Sequence, residues 1–135
     1  MNKIAVIYWS GTGNTEAMAN AVAEGAGAQL FAVADFDAAQ TESFDAFALG
    51  CPAMGDEVLE ESEFEPFFDS VKDRLAGKKV ALFGSYGWGD GEWMRKWEES
   101  CAEAGITLAA DSVICNDAPD DEALEACRAL GAALA

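Results

Sequence analysis

The sequence predicts a three-layer α/β fold, a parallel sheet with helices on both faces, and three observations predict it. Residues 4–8, 47–50, 80–84 and roughly 107–115 form short continuous apolar runs, with 30–34 a weaker fifth. Strands buried on both faces read this way, because neither face has room for polar side chains. Between the runs, apolar residues recur every three or four positions, the period of helices lying against such a sheet. The first run is followed at once by Ser10, Gly11, Thr12, Gly13, Asn14 and Thr15, a glycine- and hydroxyl-rich turn leading into a helical pattern. Alternating strands and helices imply right-handed crossovers, and ligands then sit beyond the carboxyl ends of the strands.

Taken in order, the strand at 4–8 passes through the Ser10 to Thr15 turn into a helix whose apolar stripe is Met18, Val22 and Ala26. The weak strand at 30–34 and the stronger one at 47–50 follow, and a second loop spans 51–62. Ser62 with Glu65 makes a capping-box pattern at the start of the next helix, which carries Phe64, Phe67, Phe68, Val71 and Leu75. After the strand at 80–84 comes a third loop, 85–91, and Asp90 stands where it can begin the helix of Trp93, Trp97 and Cys101. Asp120, Asp121 and Glu122 suit the N-terminus of a last helix with Leu124, Cys127, Leu130 and Leu134. This topology brings the loops at 9–15, 51–62 and 85–91 to one edge of the sheet.

Composition narrows the function. With 135 residues and 51% hydrophobic content, residues 1–135 are read as one domain with one core. The longest apolar run is far short of a membrane span, and Met1, Asn2 and Lys3 lead into the first strand without a signal-like block, so the reading is a soluble, cytoplasmic protein. Cys51, Cys101, Cys115 and Cys127 show no Cys-x-x-Cys spacing and are read as reduced thiols. The chain has no histidine, which removes the usual acid/base group and the commonest metal ligand. With 25 acidic against 8 basic residues the net charge is −17, which argues against nucleic acid as a partner. Residues 4–71 contain no Lys or Arg, while Asp56, Glu57, Glu60, Glu61, Glu63, Glu65 and Asp69 crowd one stretch. That stretch is either a solvated surface or a docking face for basic partners.

The loops carry the chemistry. Glycine lets a turn adopt positive φ and approach a ligand closely, while hydroxyls and free amides at a helix N-terminus bind phosphate oxygens. The Ser10 to Thr15 turn therefore reads as a phosphate cradle. It lacks the Lys-Ser/Thr ending of a nucleotide triphosphatase loop, so neutral groups holding a monophosphate fit better. The second loop reads Pro52, Ala53, Met54, Gly55, Asp56, Glu57, and the third Ser85, Tyr86, Gly87, Trp88, Gly89, Asp90, Gly91. Met54 and Trp88, each among glycines, are suited to sandwich a planar ring between a thioether and an aromatic face.

The joint order and spacing of these loops resemble the flavodoxins, in particular the short-chain type of anaerobic bacteria, over the whole chain. Tyr8 to Thr15 is similar to that family's phosphate loop, 50–57 to its second flavin loop and 82–93 to its third. The last strand reaches Cys115 without a long insertion, as in the short-chain subgroup. The resemblance implies a flavodoxin-like fold with a five-stranded parallel sheet in the order 2-1-3-4-5, flavodoxins being themselves a type example of the strand-end rule. It implies noncovalently bound flavin mononucleotide (FMN) and a low-potential one-electron carrier, not an enzyme, cycling mainly between semiquinone and hydroquinone.

Carried over by position, Ser10, Thr12, Asn14 and Thr15 bind the phosphate, with Gly11 and Gly13 shaping the turn. Trp88 stacks on the outer flavin face, Met54 covers the inner one, and Glu57 accepts from the flavin N3 proton. Pro52, Ala53, Asp56, Ser85, Tyr86, Gly87 and Gly89 complete the ring site. Gly55 is the redox switch, whose peptide turns its carbonyl toward the flavin N5 on reduction. Asn116 is either a further contact or a helix cap, and Cys51, with no cation in reach, is a structural thiol. The implied partners are redox proteins with basic docking surfaces, a reductase donor and a low-potential acceptor, met by a monomer without membrane or nucleic-acid contact. The alternatives are an FMN-dependent quinone reductase and a partner-specific flavoprotein activator. A response-regulator receiver would need an acidic pair after the first strand, an Asp after the third and a Lys after the fifth; those places hold Tyr8 and Trp9, Cys51, and Asn116.

Overall fold

The computed structural model describes residues 3–54, 58–87 and 89–135. Strands β1 (Ile4–Tyr8), β2 (Gln29–Ala32), β3 (Ala46–Gly50), β4 (Lys79–Tyr86) and β5 (Val113–Asn116) form one parallel sheet in the order β2-β1-β3-β4-β5. The helices are α1 (Asn14–Ala26), α2 (Phe64–Val71), α3 (Glu92–Glu103) and α4 (Asp121–Leu134), and short 3₁₀ turns at Val33–Asp35 and Ala38–Ser43 join β2 to β3.

Side chains alternate across the pleat and divide the core in two. Ile4, Val6, Ala46, Ala48, Ala81 and Phe83 pack with Met18, Val22, Cys127, Leu130 and Leu134 of α1 and α4. Ala5, Ile7, Phe47, Leu49, Val80 and Leu82 pack on the opposite face with Phe64, Phe68, Trp93 and Trp97 of α2 and α3. Each fully buried Val, Leu, Ile, Phe or Met side chain among them contributes about 1.5–3 kcal/mol. The alanines leave the first face shallow, so α1 and α4 settle close to the sheet and to each other. A Cβ on Gly25 would lie 2.0 Å from the Arg128 carbonyl oxygen, and one on Gly131 would lie 2.1 Å from that of Val22. Only hydrogen at both positions allows this approach, and it steadies the helix whose N-terminus faces the candidate site.

Three local expectations differ. The fifth strand is shorter than 107–115, because the chain bends at Ala109 and Ala110. Leu108 makes a single bridge to Val80, the Ser112 hydroxyl turns to donate to Glu98 at 2.7 Å, and the ladder resumes only at Val113. The capping box of Ser62 with Glu65 does not form. The Glu60 carboxylate instead accepts from the amides of Glu63 at 2.7 Å, Phe64 at 2.9 Å and Ser62 at 2.9 Å, and from the Ser62 hydroxyl. A carboxylate has acceptor sites for all four donors, whereas one serine hydroxyl does not. Glu60 is therefore buried, unlike Glu61, Glu63, Glu65 and Asp69, which remain exposed. Asp90 does not cap α3; the N-cap is Gly91, and Asp90 pairs with Arg95 at 3.0 Å. Asp120 does cap α4 as expected, accepting from the Ala123 amide at 2.8 Å.

Candidate functional site

The site grows out of the carboxyl ends of β1, β3 and β4. Chain leaving these strands keeps ladder-like bonds for a residue or two, with the Trp9 amide donating to Gly50 at 3.0 Å, Cys51 to Phe83 at 3.2 Å and Ala53 to Ser85 at 3.0 Å. The three loops are thereby held side by side before they diverge. Between them lies a mostly apolar cleft of about 220 Å³, walled by Gly11, Thr12 and Asn14 of the first loop, Pro52, Ala53 and Met54 of the second, and Ser85, Tyr86 and Gly87 of the third.

The first loop is organised from within. Gly13 is the N-cap of α1 at φ 95°, a conformation that L side chains adopt at a cost. The Ser10 hydroxyl oxygen accepts from the Gly13 amide at 3.0 Å and that of Thr12 from the Asn14 amide at 3.4 Å. Both hydroxyls act as acceptors within the loop, which leaves their protons free to donate outward. Thr15 sits one residue into α1, is 1% exposed, and its Oγ1 has no partner among the described residues. A buried hydroxyl without a partner costs about 1–3 kcal/mol. Beside a helix N-terminus without a side-chain cap, it is the feature expected of a group that a phosphate oxygen satisfies.

The second loop narrows at Met54, whose amide and carbonyl exchange hydrogen bonds with Val58 at 2.9 and 3.0 Å. Beneath it Cys51 is fully buried, accepts from the Glu60 amide at 3.3 Å, and takes the Trp93 indole proton on its carbonyl at 3.1 Å. Burial pushes the Cys51 thiol up to about 12, which fits a structural role. Glu60 itself is opposed by burial, yet the Ser62 hydroxyl and the amides of Phe64, Glu63 and Ser62 outweigh that and hold its carboxyl below the usual carboxylate range.

Of the expected site residues, Gly11, Thr12, Asn14, Pro52, Ala53, Met54, Ser85, Tyr86 and Gly87 meet in the cleft. Ser10 and Gly13 shape the first loop, and Thr15 is buried in the first turn of α1. Gly89 is exposed and does not line the cleft. Asn116 is not a helix cap, since Asp120 fills that place; its amide donates to the Tyr86 carbonyl at 3.3 Å and that of Gly87 at 3.5 Å, bracing the third loop. Gly55, Asp56, Glu57 and Trp88 lie outside the described residues.

Two cleft residues were not expected from the sequence. Trp9 lines the cleft from the first residue after β1; its only sequence signal is an aromatic directly before the glycine turn. Asp117 lines it from the loop after β5, with φ 54° in the left-handed region. Its amide donates to Tyr86 at 2.8 Å and its carbonyl accepts from the Ser85 hydroxyl at 2.6 Å, so β4 clamps it on both sides. Its sequence signal is weak, a carboxylate in the fourth loop at the same sheet edge.

A neutral anion cradle with a buried hydroxyl unpaired among the described residues, continuous with an apolar cleft, fits a phosphate monoester joined to a planar ring, as FMN is. Comparison with known proteins agrees. The flavodoxin family model matches residues 6–131. The chain is 47% identical to the flavodoxin of Megasphaera elsdenii over 137 aligned positions, covering 98% of each chain, and 48% identical to that of Clostridium beijerinckii, covering 86% of this chain and 88% of the other. The solution structure of the two-electron reduced Megasphaera elsdenii flavodoxin superposes with a TM-score of 0.88, covering 97% of both chains. A flavodoxin from the domain Archaea, 29% identical, gives 0.85 over 98% of this chain and 95% of its own. This chain therefore belongs to the flavodoxin family.

Proposed function

We propose that this flavodoxin works as a low-potential one-electron carrier between a reductase and an acceptor enzyme, with residues 1–135 acting as one FMN-binding domain. Flavodoxins bind FMN and transfer electrons; they do not turn over a substrate of their own, and the relatives do not favour the quinone-reductase or activator readings. The observation that carries the proposal is the continuity of the Thr15 cradle with the apolar cleft. FMN supplies the electron-accepting centre when bound. The chain's own residues then divide the work. The Ser10, Thr12 and Thr15 hydroxyls, Asn14 and the first-turn amides would hold the phosphate; Met54 and Trp88 would flank the ring; Pro52, Ala53, Asp56, Ser85, Tyr86 and Gly87 would surround its edge, with Asn116 bracing from behind. Glu57 would accept a hydrogen bond from the flavin N3–H, and Gly55 would supply the peptide whose carbonyl can turn toward the flavin N5.

The net charge of −17 supports a low potential. One carboxylate about 10 Å from a reduced anionic ring costs roughly 1.7 kcal/mol at an effective dielectric of about 20, or about 70 mV for one electron. Several such groups add, and salt reduces each. The exposed acids Glu61, Glu63, Glu65 and Asp69 supply a face for partners with basic docking surfaces. The chain works as a cytoplasmic monomer, without membrane or nucleic-acid contact. Among the described residues no helix is long and apolar enough to cross a membrane. Stepwise anaerobic reduction of the FMN-loaded protein with dithionite, followed by visible absorption, should separate into two one-electron steps. A single two-electron bleaching would overturn the carrier reading.

A further inference from the structure

A carboxylate in the first turn of a helix is drawn to that turn's free amides, and at the third helical position it can fold back onto the N-cap N–H. Glu16 holds that position in α1, two residues after Asn14, on the same turn that forms the anion cradle. Left to itself it would compete with phosphate for the cradle's donors. It does not do so: α1 has no side-chain cap, and the Gly13 amide is taken by Ser10. Glu16 Oε2 accepts instead from the Tyr8 hydroxyl at 2.9 Å. Tyr8 is the last residue of β1, in register with Ala32 on one side and Gly50 on the other, so its ring starts from a fixed backbone. Both side chains line a neighbouring cleft of about 240 Å³ and neither lines the one walled by Gly11, Thr12 and Asn14. Burial, then Glu16, then Asp35 push the Tyr8 hydroxyl above its usual value, which keeps it a donor.

We propose that Tyr8 is a positioning residue for phosphate selectivity: its hydroxyl holds the Glu16 carboxylate in the neighbouring cleft, so that the phosphate of FMN, and not the chain's own acid, occupies the helix N-terminus. The inference rests on the FMN reading above. It separates two ligands that differ only in the phosphate, FMN and riboflavin.

The test titrates the full chain with each flavin, following quenching of flavin fluorescence, for the unmodified protein, Tyr8→Phe, Glu16→Gln and the double variant. Tyr8→Phe should weaken FMN about fivefold, the worth of one capping bond, and leave riboflavin unchanged. Glu16→Gln should tighten FMN, and in the double variant it should restore the affinity lost in Tyr8→Phe. Equal weakening of both flavins, no change in FMN, failure of the double variant to recover, or weaker FMN binding by Glu16→Gln would each overturn the proposal. Failure of the unmodified chain to bind either flavin would overturn the cofactor reading itself, and the inference with it.

Discussion

Replacing Thr15 by valine separates what the hydroxyl costs the fold from what it contributes to binding. Thr15 is 1% exposed and its Oγ1 has no partner among the described residues. Exchanging that hydroxyl for a methyl of the same shape removes a desolvation penalty of about 1–3 kcal/mol at little change in helix propensity. For a chain of 135 residues this raises Tm without flavin by about 4–10 °C. The same change removes one hydrogen bond to a charged group, about 1.5–3 kcal/mol, so FMN binding weakens about 10- to 150-fold. Riboflavin has no phosphate and should be unaffected. Thermal unfolding followed by circular dichroism, and fluorescence titration with both flavins, read the two effects. Thr15→Ser keeps the donor and should keep FMN affinity within a few-fold. A lower Tm for Thr15→Val, together with equal losses for both flavins, would show that the hydroxyl is a packing group and refute the reasoning.

Further outcomes follow from other residues. Glu60→Ala leaves the Ser62, Glu63 and Phe64 amides without their acceptor and should destabilise the protein by about 2–3 kcal/mol at pH 7 in urea unfolding. Because the folded carboxyl is held below its ordinary value of 4.5, its contribution is complete above that pH and fades as pH falls through the folded value; the difference from the unmodified protein should shrink accordingly in acid. Burial pushes the thiols of Cys51, Cys101 and Cys127 up to about 12, so at pH 8 only about one in 10⁴ is thiolate. Iodoacetamide should therefore leave all three unlabelled in the native protein, by mass spectrometry, with half-buried Cys115 the slow site of any reaction. Gly55→Thr should lower the yield of one-electron-reduced protein in a reductive titration, since a Cβ opposes the reorientation assigned to that peptide; an unchanged yield would remove Gly55 from that role.

Much of the fold was legible because it is written in local spacing. The apolar runs at 4–8 and 47–50 differ little from β1 and β3, since strands buried on both faces tolerate no polar residue. The stripes of Met18 and Val22, and of Trp93 and Trp97, marked the buried faces of α1 and α3 for the same reason. Where several groups compete for one partner, local pattern was insufficient. Ser62 with Glu65 matched a capping box, yet Glu60, with more acceptor sites and a chain path that returns it to the same amides, took the helix start. Asn116 reads from sequence as either a ligand contact or a cap; Asp120 takes the cap, and the proximity of the β4 end makes Asn116 a brace for the third loop.

By itself, the sequence marked most of the strands and helices, pointed to the loop after β1 as a phosphate cradle without a lysine, and, having no histidine, argued against hydrolysis; the electron-carrier reading came from the resemblance of its three loops to those of flavodoxins. Only the tertiary structure decided that Trp9 and Asp117 join the cleft, that the Thr15 hydroxyl is buried with no partner among the described residues, and that the Tyr8 hydroxyl donates to Glu16. The physical reason is the range of the interactions. Periodicity and turn chemistry act between residues a few positions apart and leave a trace in the one-dimensional pattern. Burial and hydrogen-bond competition depend on which strand ends lie side by side, and the crossovers of the sheet set that.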